Sequence, residues 1–519
     1  MMRLICFATL LSVVYSGYNL NSSNFIKEAS TISELEEYDY IIVGGGTAGC
    51  PLAATLSEYF KVLVLERGGS PYRNPNITQQ SNIANAPRQD PAFQQFTSED
   101  GVANLRANVL GGGSSVNGGF YSRAELSFLR QAKLDETTVN KSYAWVEKVV
   151  AFEPTYKNAF QAATRTALVT VGGIIPEYNF TYDDVIGTKT AGITFDPNGH
   201  RHPSPDLLFE YANPHNILVL LHATVERIII RNKGSAKLAF GVMFKDNIGQ
   251  IHTAILNEKT GGEVIVCAGA LGSPQLLMLS GIGPIEHLKP LGINLVLNSP
   301  QVGKEMRDNP SGGMVLLSPI PLGNFWSPLT VGVASAGFLV ETMGLGTSGQ
   351  LLVKVKGPQS FGELLLKSKN ASETPSVRFN YFKSPEDIQR CVAGINTLEE
   401  MALSSVFAPY RYDNQTLPSG GTVLLPNRRN SLFLKSINST IADYCKKNIG
   451  TFYHYHGGCL KGEVIDDNYK VIGTNNLRVV DGSTFKSSPG TNPQATVMML
   501  GRYVGTKLLL EKEKKKNKC

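Results

Sequence analysis

The stretch Tyr40-Ile41-Ile42-Val43-Gly44-Gly45-Gly46-Thr47-Ala48-Gly49 decides the fold. Four apolar residues that stop at a run of glycines read as a buried strand entering a tight turn. Ala, Leu and Cys then recur at helical spacing over 47–59, and Lys61-Val62-Leu63-Val64-Leu65-Glu66 reads as a second buried strand. Strand, turn, helix, strand is the opening of a doubly wound α/β unit. Within it Gly44 allows the tight turn, Gly46 lets backbone approach a pyrophosphate, and Gly49 lets the helix pack close to the strand. Thr47 and Ala48 open that helix, whose free N–H groups and partial positive charge suit phosphate. Glu66, followed by Arg67, ends the next strand, where a carboxylate takes a ribose hydroxyl pair. The pattern predicts a dinucleotide site and does not separate NAD from FAD.

Working outward, the chain has 519 residues, 42% apolar and 18% charged, with 49 basic against 43 acidic side chains. Plentiful aliphatic residues and low net charge per residue exclude disorder as a whole-chain description. Seven Cys are too sparse for a disulfide scaffold. Of the net charge of +6, Arg3 carries one and the tail 511–519 three, leaving about two on the body. No basic face interleaved with aromatics is evident, so nucleic acid is not an implied partner. Met1-Met2-Arg3, an apolar run from Leu4 to Val14 and a small-residue exit at Ser16-Gly17 form the parts of a secretory signal peptide over 1–17. That run is too short to span a bilayer, which needs about 20 apolar residues, and no later stretch is long enough. The expected mature protein is secreted and has no membrane span. Seven Asn-X-Ser/Thr sequons, at Asn21, Asn76, Asn140, Asn179, Asn370, Asn414 and Asn438, permit glycosylation.

Residues 18–35 are polar and read as a disordered leader. The middle of the chain is strand-rich, with expected strands at 217–221, 225–230, 239–244, 251–256 and 263–267. Helices are expected at 385–404, 431–447 and 494–510, the last ending in a solvated basic tail over 511–519. His200-Arg201-His202 lacks a Cys or carboxylate partner at metal-ligand spacing. It reads as a loop before a helix that Ser204 caps and Pro205 starts. No Gly-X-Ser-X-Gly elbow supports a serine hydrolase.

A second glycine cluster separates the cofactors. Ala107-Asn108-Val109-Leu110-Gly111-Gly112-Gly113-Ser114-Ser115-Val116-Asn117-Gly118-Gly119 resembles the first signature of the glucose–methanol–choline (GMC) flavoprotein family. Gly269-Ala270-Leu271-Gly272-Ser273-Pro274 onward is similar to its second. Tyr453-His454-Tyr455-His456-Gly457-Gly458-Cys459, Val480-Asp481-Gly482-Ser483 and Asn492-Pro493-Gln494 are similar to its catalytic segment. Within the family the resemblance is to the plant mandelonitrile lyase-like members. It implies an α/β fold: a Rossmann-like FAD-binding domain (36–143, 217–309 and 456–510) interleaved with an α+β substrate domain built on an antiparallel sheet (144–216 and 310–455). It also implies that Val109, Gly113, Asn117, Gly118, Gly119, Phe120, Val225, Tyr453, Asp481, Gly482, Pro493 and Gln494 join the first motif in holding FAD. Family members with covalent flavin use a His where Val116 stands, so FAD is expected to be non-covalent.

For catalysis the resemblance singles out His454 as the base for a hydroxyl proton and Asn492 as a hydrogen-bond donor to the substrate oxygen. His456 faces away if the segment is extended and reads as structural. The cyanohydrin-cleaving relatives carry a second His where Asn492 stands, and Asn cannot move a proton. The expected activity is therefore FAD-dependent oxidation of the CH–OH group of a small alcohol. The alternatives are a hydroxynitrile lyase acting on a cyanohydrin, with redox-silent FAD, and a catalytically weak flavin-binding protein. Between Asp308-Asn309-Pro310 and Gly357-Pro358 the chain is shorter than its relatives, so the substrate domain is expected to lack material around 320–356. The motifs place Cys50 in the first helix, Cys267 at the end of a buried strand and Cys459 beside the catalytic segment. Cys391 and Cys445, on helices of the other domain, remain as the expected disulfide.

Overall fold

The run Tyr40–Val43 is a strand buried on both faces, and so is Val62–Leu65, as continuous apolar runs in a parallel sheet must be. A computed structural model describes residues 24–83, 89–155, 158–234, 236–325, 327–412, 423–424 and 440–516. These two strands lie at the centre of a six-stranded sheet whose pairings are all parallel. Its order is Ile26–Glu28, Ile217–Leu221, Val62–Leu65, Tyr40–Val43, Glu263–Val266 and Leu477–Val479. The helix Gly49–Leu56 packs against the long C-terminal helix Gln494–Lys516. Between the second and fifth strands of that order the chain folds an antiparallel trio, Thr224–Lys233, Ala236–Lys245 and Ile251–Ile255.

A second, nine-stranded sheet is antiparallel at almost every pairing. It draws strands from 177–190, 310–355, 423–424 and 450–451. The region expected to be short of material folds as Gly323–Phe325, Thr330–Ala334, Phe338–Gly346 and Ser348–Val355. The last two form a hairpin paired from Phe338 with Val355 to Leu345 with Ser348, so the sheet is continuous through this stretch. Helix Pro385–Leu403 covers one face, with Ser384 capping it and Pro385 at its first turn. The expected disulfide is present: Cys391 on this helix is joined to Cys445 on Ile441–Lys447.

Several expectations change. Residues 24–31, read as part of a disordered leader, form an edge strand and a short 3₁₀ turn, with Phe25 and Ala29 buried. The carboxylate of Glu28 lies 2.6 Å from Nδ1 of His222 on the far side of that edge. The first helix ends at Leu56 rather than Tyr59. The basic tail is no free tail through 516, because the last helix continues to Lys516. Glu511 pairs with buried Arg478, and Lys512 donates to the carbonyls of Thr260 and Gly261. The helix after His202 starts at Asp206 without a cap from Ser204, whose hydroxyl instead bonds carbonyls of Gly46 and Gly111. The segment 1–17 expected to be a signal peptide, three of the sequons (Asn21, Asn414 and Asn438) and residues 431–439 lie outside the described residues. Among the described residues no helix is long and apolar enough to cross a membrane.

Candidate active site

Gly44 adopts φ +102°, and a Cβ there would lie 2.5 Å from the carbonyl of Cys267. Gly49 is still more constrained, since its Cβ would meet the carbonyl of Gly44 at 2.0 Å. These two positions seat the helix directly on the strand. A Cβ on Gly46 would meet nothing nearer than 3.8 Å, so that backbone is open toward a cavity. Glu66 closes the motif: its buried carboxylate accepts from the backbone N–H groups of Gly45 at 3.0 Å and Gly68 at 2.8 Å. Burial raises its pKa, and those N–H groups and Arg67 oppose the rise.

The second glycine loop lies across from the first. Gly111, Gly112 and Gly119 have positive φ, and a Cβ on Gly119 would strike the ring of Phe195 at 2.2 Å. Asn117 is fixed at both ends: Oδ1 accepts from Gly119 N–H at 2.9 Å, and Nδ2 donates to Oε1 of Gln494 at 2.8 Å. Gln494 in turn donates to the carbonyl of Phe120. Behind the loop, buried Arg201 donates to the carbonyls of Ile77, Ser114 and Asn117 and to Oδ1 of Asn117. Burial pushes its guanidinium down to about 9. The sequence reading took Arg201 as loop material, and it is instead the brace of the glycine loop.

The segment that carries His454 enters from the other sheet. Strand Gly450–Thr451 pairs with Pro310–Leu317, and Tyr453, at φ +59°, turns the chain so that His454 reaches the cavity. Asp308 anchors this turn. Its Oδ1 accepts from the N–H groups of His454 and Asn309, both at 2.8 Å, and its Oδ2 accepts from the hydroxyls of Tyr381, at 2.6 Å, and Thr451. Burial raises the Asp308 carboxyl to about 6 against those four donors. Burial, with the Lys354 ammonium and His456, holds His454 well below the ordinary histidine range, so the ring is neutral. Its Nδ1 is buried with no protein partner, and its ring stacks 5.7 Å from that of Phe452. His456 points Nδ1 at the His454 carbonyl at 2.9 Å and does not line the cavity.

One cavity of about 1440 Å³ collects these groups. It is larger than the roughly 300–1,000 Å³ of ordinary small-molecule sites. Its wall includes Gly44, Gly46, Thr47, Ala48, Glu66, Arg67, Val109, Gly113, Asn117, Gly118, Gly119, Phe120, Val225, Tyr453, His454, Asp481, Gly482, Asn492, Pro493 and Gln494. Every residue expected from the sequence to hold the cofactor or to act on substrate is there except Gly49, which sits behind the wall. Asp481 ties the far side together, accepting from Gly269 N–H, Ser273 Oγ and Ser483 N–H. The sequence reading missed Arg106, Glu341, Lys354 and Asp308, single charged residues that no spacing rule marks. Arg67 and Arg106 both line the cavity, make no salt bridge among the described residues, and Arg106 leaves Nη2 buried without a partner. Guanidinium groups without a salt bridge among the described residues, beside an open glycine backbone, fit an anionic pyrophosphate-bearing cofactor. Among the described residues no cluster of His, Cys, Asp and Glu is placed to hold a metal.

Comparison with known proteins agrees with this geometry. Two family models, both described as GMC oxidoreductase, match residues 38–310 and 358–501. The (R)-mandelonitrile lyase-like protein of Arabidopsis thaliana is 43% identical, covering 94% of this chain and 92% of its own. Sinalpyl alcohol oxidase Nec3 of Nesocodon mauritianus is 42% identical, covering 96% and 93%. Among solved structures, a formate oxidase of Aspergillus oryzae superposes with TM-score 0.77 at 20% identity, over 92% of this chain and 99% of that one. The glycine cradle, the cavity and the family models lead to one assignment: the chain is a member of the GMC oxidoreductase family, whose cofactor is FAD.

Proposed function

We propose that the protein oxidises the CH–OH group of a small alcohol, with His454 as proton acceptor, Asn492 as hydrogen-bond donor to the substrate oxygen and FAD as oxidant. Bound FAD supplies a hydride acceptor at its N5. The observation that carries the reading is the buried, neutral His454 ring on the same cavity wall as Asn492. A neutral imidazole takes the hydroxyl proton as the carbon loses its hydride, while an amide N–H stabilises the charge that builds on oxygen. The apolar residues Met343 and Leu352 line the same cavity and fit a hydrocarbon or aromatic body on the substrate. The relative named as an alcohol oxidase supports this class of substrate.

In this reading Gly44, Gly46, Thr47 and Ala48 hold the pyrophosphate, and Glu66 and Arg67 hold the ribose end. Val109, Gly113, Asn117, Gly118, Gly119, Phe120, Val225, Tyr453, Asp481, Gly482, Pro493 and Gln494 enclose the rest. Val116 offers no nucleophile for a covalent link, so FAD dissociates on denaturation. The chain divides into a cofactor part (36–143, 217–309 and 456–510) and a substrate part (144–216 and 310–455). Secretion through the 1–17 segment is consistent with the Cys391–Cys445 disulfide and the exposed sequon residues Asn140, Asn179 and Asn370.

The second reading is a hydroxynitrile lyase, favoured by the 43% identity to a mandelonitrile lyase-like protein. Cyanohydrin cleavage needs groups that move protons at both oxygen and cyanide, and Asn492 is not one. Anaerobic addition of an aromatic primary alcohol to the flavoprotein should bleach the flavin and yield an aldehyde. Cyanide release from mandelonitrile without bleaching by any alcohol would replace the first reading with the second.

A further inference from the structure

Two neighbouring strands of the nine-stranded sheet bury a charged pair beside the cavity. Glu341, on Phe338–Gly346, is 3% exposed, and Lys354, on Ser348–Val355, is 0% exposed. Glu341 stands opposite Leu352 and Lys354 opposite Leu339, so the two are diagonal neighbours on one face. Burying two ions costs several kcal/mol each before their attraction is counted. A substrate sheet has no packing need for them that a Met and a Leu would not meet.

What they hold is Asn492. The Lys354 ammonium donates to Oδ1 of Asn492, and burial raises the carboxyl of Glu341 while the nearby Lys354 ammonium and Asn492 side chain oppose the rise. An ammonium only donates and an ionised carboxylate only accepts. The amide therefore lies with its carbonyl end toward Lys354 and its NH₂ end toward Glu341, an orientation dictated by the partners rather than by a choice between look-alike atoms. The nitrogen has two hydrogens; the negative charge of Glu341 draws the NH₂ end toward its side, and an N–H is left for the cavity that Asn492 lines. A cation on the carbonyl oxygen also polarises the amide and makes that N–H a stronger donor. On its other side Lys354 Nζ lies 5.7 Å from the centroid of Phe452, the ring that stacks on His454. Glu341 Oε1 is buried with no protein partner.

We propose that Lys354 and Glu341 are positioning residues that lock the Asn492 amide with one N–H free for the substrate oxygen, so that they act on alcohol oxidation only through Asn492. This rests on the alcohol-oxidation reading above. Loss of a preorganised donor to a developing oxyanion lowers rates by about 10²–10³, and unlocking one should cost at least about tenfold. Glu341→Gln should cost less than Lys354→Met, because it removes only the charge that favours the NH₂ end, whereas Met removes the ammonium bonded to the carbonyl oxygen. Burial pushes the Lys354 ammonium down to about 8 against the pull of Glu341 and Asp184 and with the push of Lys356, and it faces His454 as well. The wild-type rate should accordingly fall as pH rises through about 8, and the Lys354→Met rate should be flat there.

The test is the rate of anaerobic flavin bleaching by benzyl alcohol, or by whichever aromatic primary alcohol bleaches the wild type fastest. It is measured for Lys354→Met, Asn492→Ala and the double variant, with Glu341→Gln as a milder probe. Flavin content and thermal unfolding of each variant are measured alongside. The expected result is a Lys354→Met loss of at least tenfold that disappears in the Asn492→Ala background, as a shared pathway requires. Losses that multiply in the double variant, or a Lys354→Met and Glu341→Gln pair with wild-type rates, would overturn the inference. If Lys354→Met fails to fold, Glu341→Gln with Asn492→Ala completes the same cycle. A His454→Ala variant separates the two levels. If it bleaches at the wild-type rate, the oxidation reading itself falls; if it is inactive while the Lys354 and Asn492 losses multiply, only the positioning claim falls.

Discussion

Asp308 offers a stability experiment whose sign and size follow from the structure. It is fully buried, it accepts four hydrogen bonds, and burial nonetheless raises its carboxyl from 3.8 to about 6. A group whose folded pKa is raised binds more protons in the folded state than in the unfolded one between those two values. Its contribution is therefore fully present below about pH 4 and is lost as pH rises through 6. A shift of about two units at 1.36 kcal/mol each makes that loss about 3 kcal/mol. Asp308→Asn keeps Oδ1 as acceptor for the backbone N–H groups of His454 and Asn309. Its Nδ2 can donate to the hydroxyls of Tyr381 and Thr451, which rotate to accept. The variant has no ionisation at this site. Urea unfolding of wild type and Asn variant, compared at pH 4.5 and 7.5, should show a stability difference that shifts toward the variant by about 2 kcal/mol at the higher pH, the part of the loss that falls above pH 4.5. Comparing the two proteins cancels every other titrating group. A difference that does not change with pH, or that shifts toward wild type, would refute the reasoning. Asp308→Ala leaves all four donors without their acceptor and removes the anchor of His454, and should slow flavin reduction by about tenfold or more while the Asn variant stays within a few-fold.

Other expectations follow from single contacts. Gly49→Ala drives a Cβ to 2.0 Å from the Gly44 carbonyl, so purified protein should retain no FAD, read from its visible absorbance. Arg201→Met strands three backbone carbonyls and the Asn117 side chain, and should weaken FAD binding by about 3 kcal/mol, near a hundredfold in Kd by titration of the apoprotein. Replacing Cys391 and Cys445 by Ser opens a loop of sequence separation 54 and should cost about 4 kcal/mol in urea unfolding on chain-entropy grounds.

The cofactor half of the protein was legible because its constraints fall on glycine. Positive φ at Gly44 and Gly119 and carbonyl contacts at Gly44 and Gly49 forbid any side chain, so the need is written directly in residue type and spacing. Asp308, Arg201, Glu341 and Lys354 left no such mark. Each is a single charged residue whose role depends on partners distant in sequence, from Tyr381 and Thr451 for Asp308 to Asn492 for Lys354. Lys354 in Leu351-Leu352-Val353-Lys354-Val355 reads as a polar position on a half-exposed strand, and only the fold buries it. The edge strand Ile26–Glu28 was missed for a different reason. It is three residues long and buries none of them fully, with only Phe25 just before it buried, too little for a periodicity to show. The stretch expected to be short of material pairs as an unbroken hairpin from Phe338 with Val355 to Leu345 with Ser348, a register that the sequence pattern alone does not specify.

The central claim is that this flavoprotein takes a hydride from an alcohol with His454 accepting the hydroxyl proton. Anaerobic stopped-flow mixing of wild type and His454→Ala with an aromatic primary alcohol tests it most directly. The account predicts flavin bleaching with stoichiometric aldehyde in the wild type, slowed by about 10²-fold or more in the variant. Bleaching at equal rates in both, or a wild type that stays oxidised with every alcohol while releasing cyanide from mandelonitrile, would contradict it.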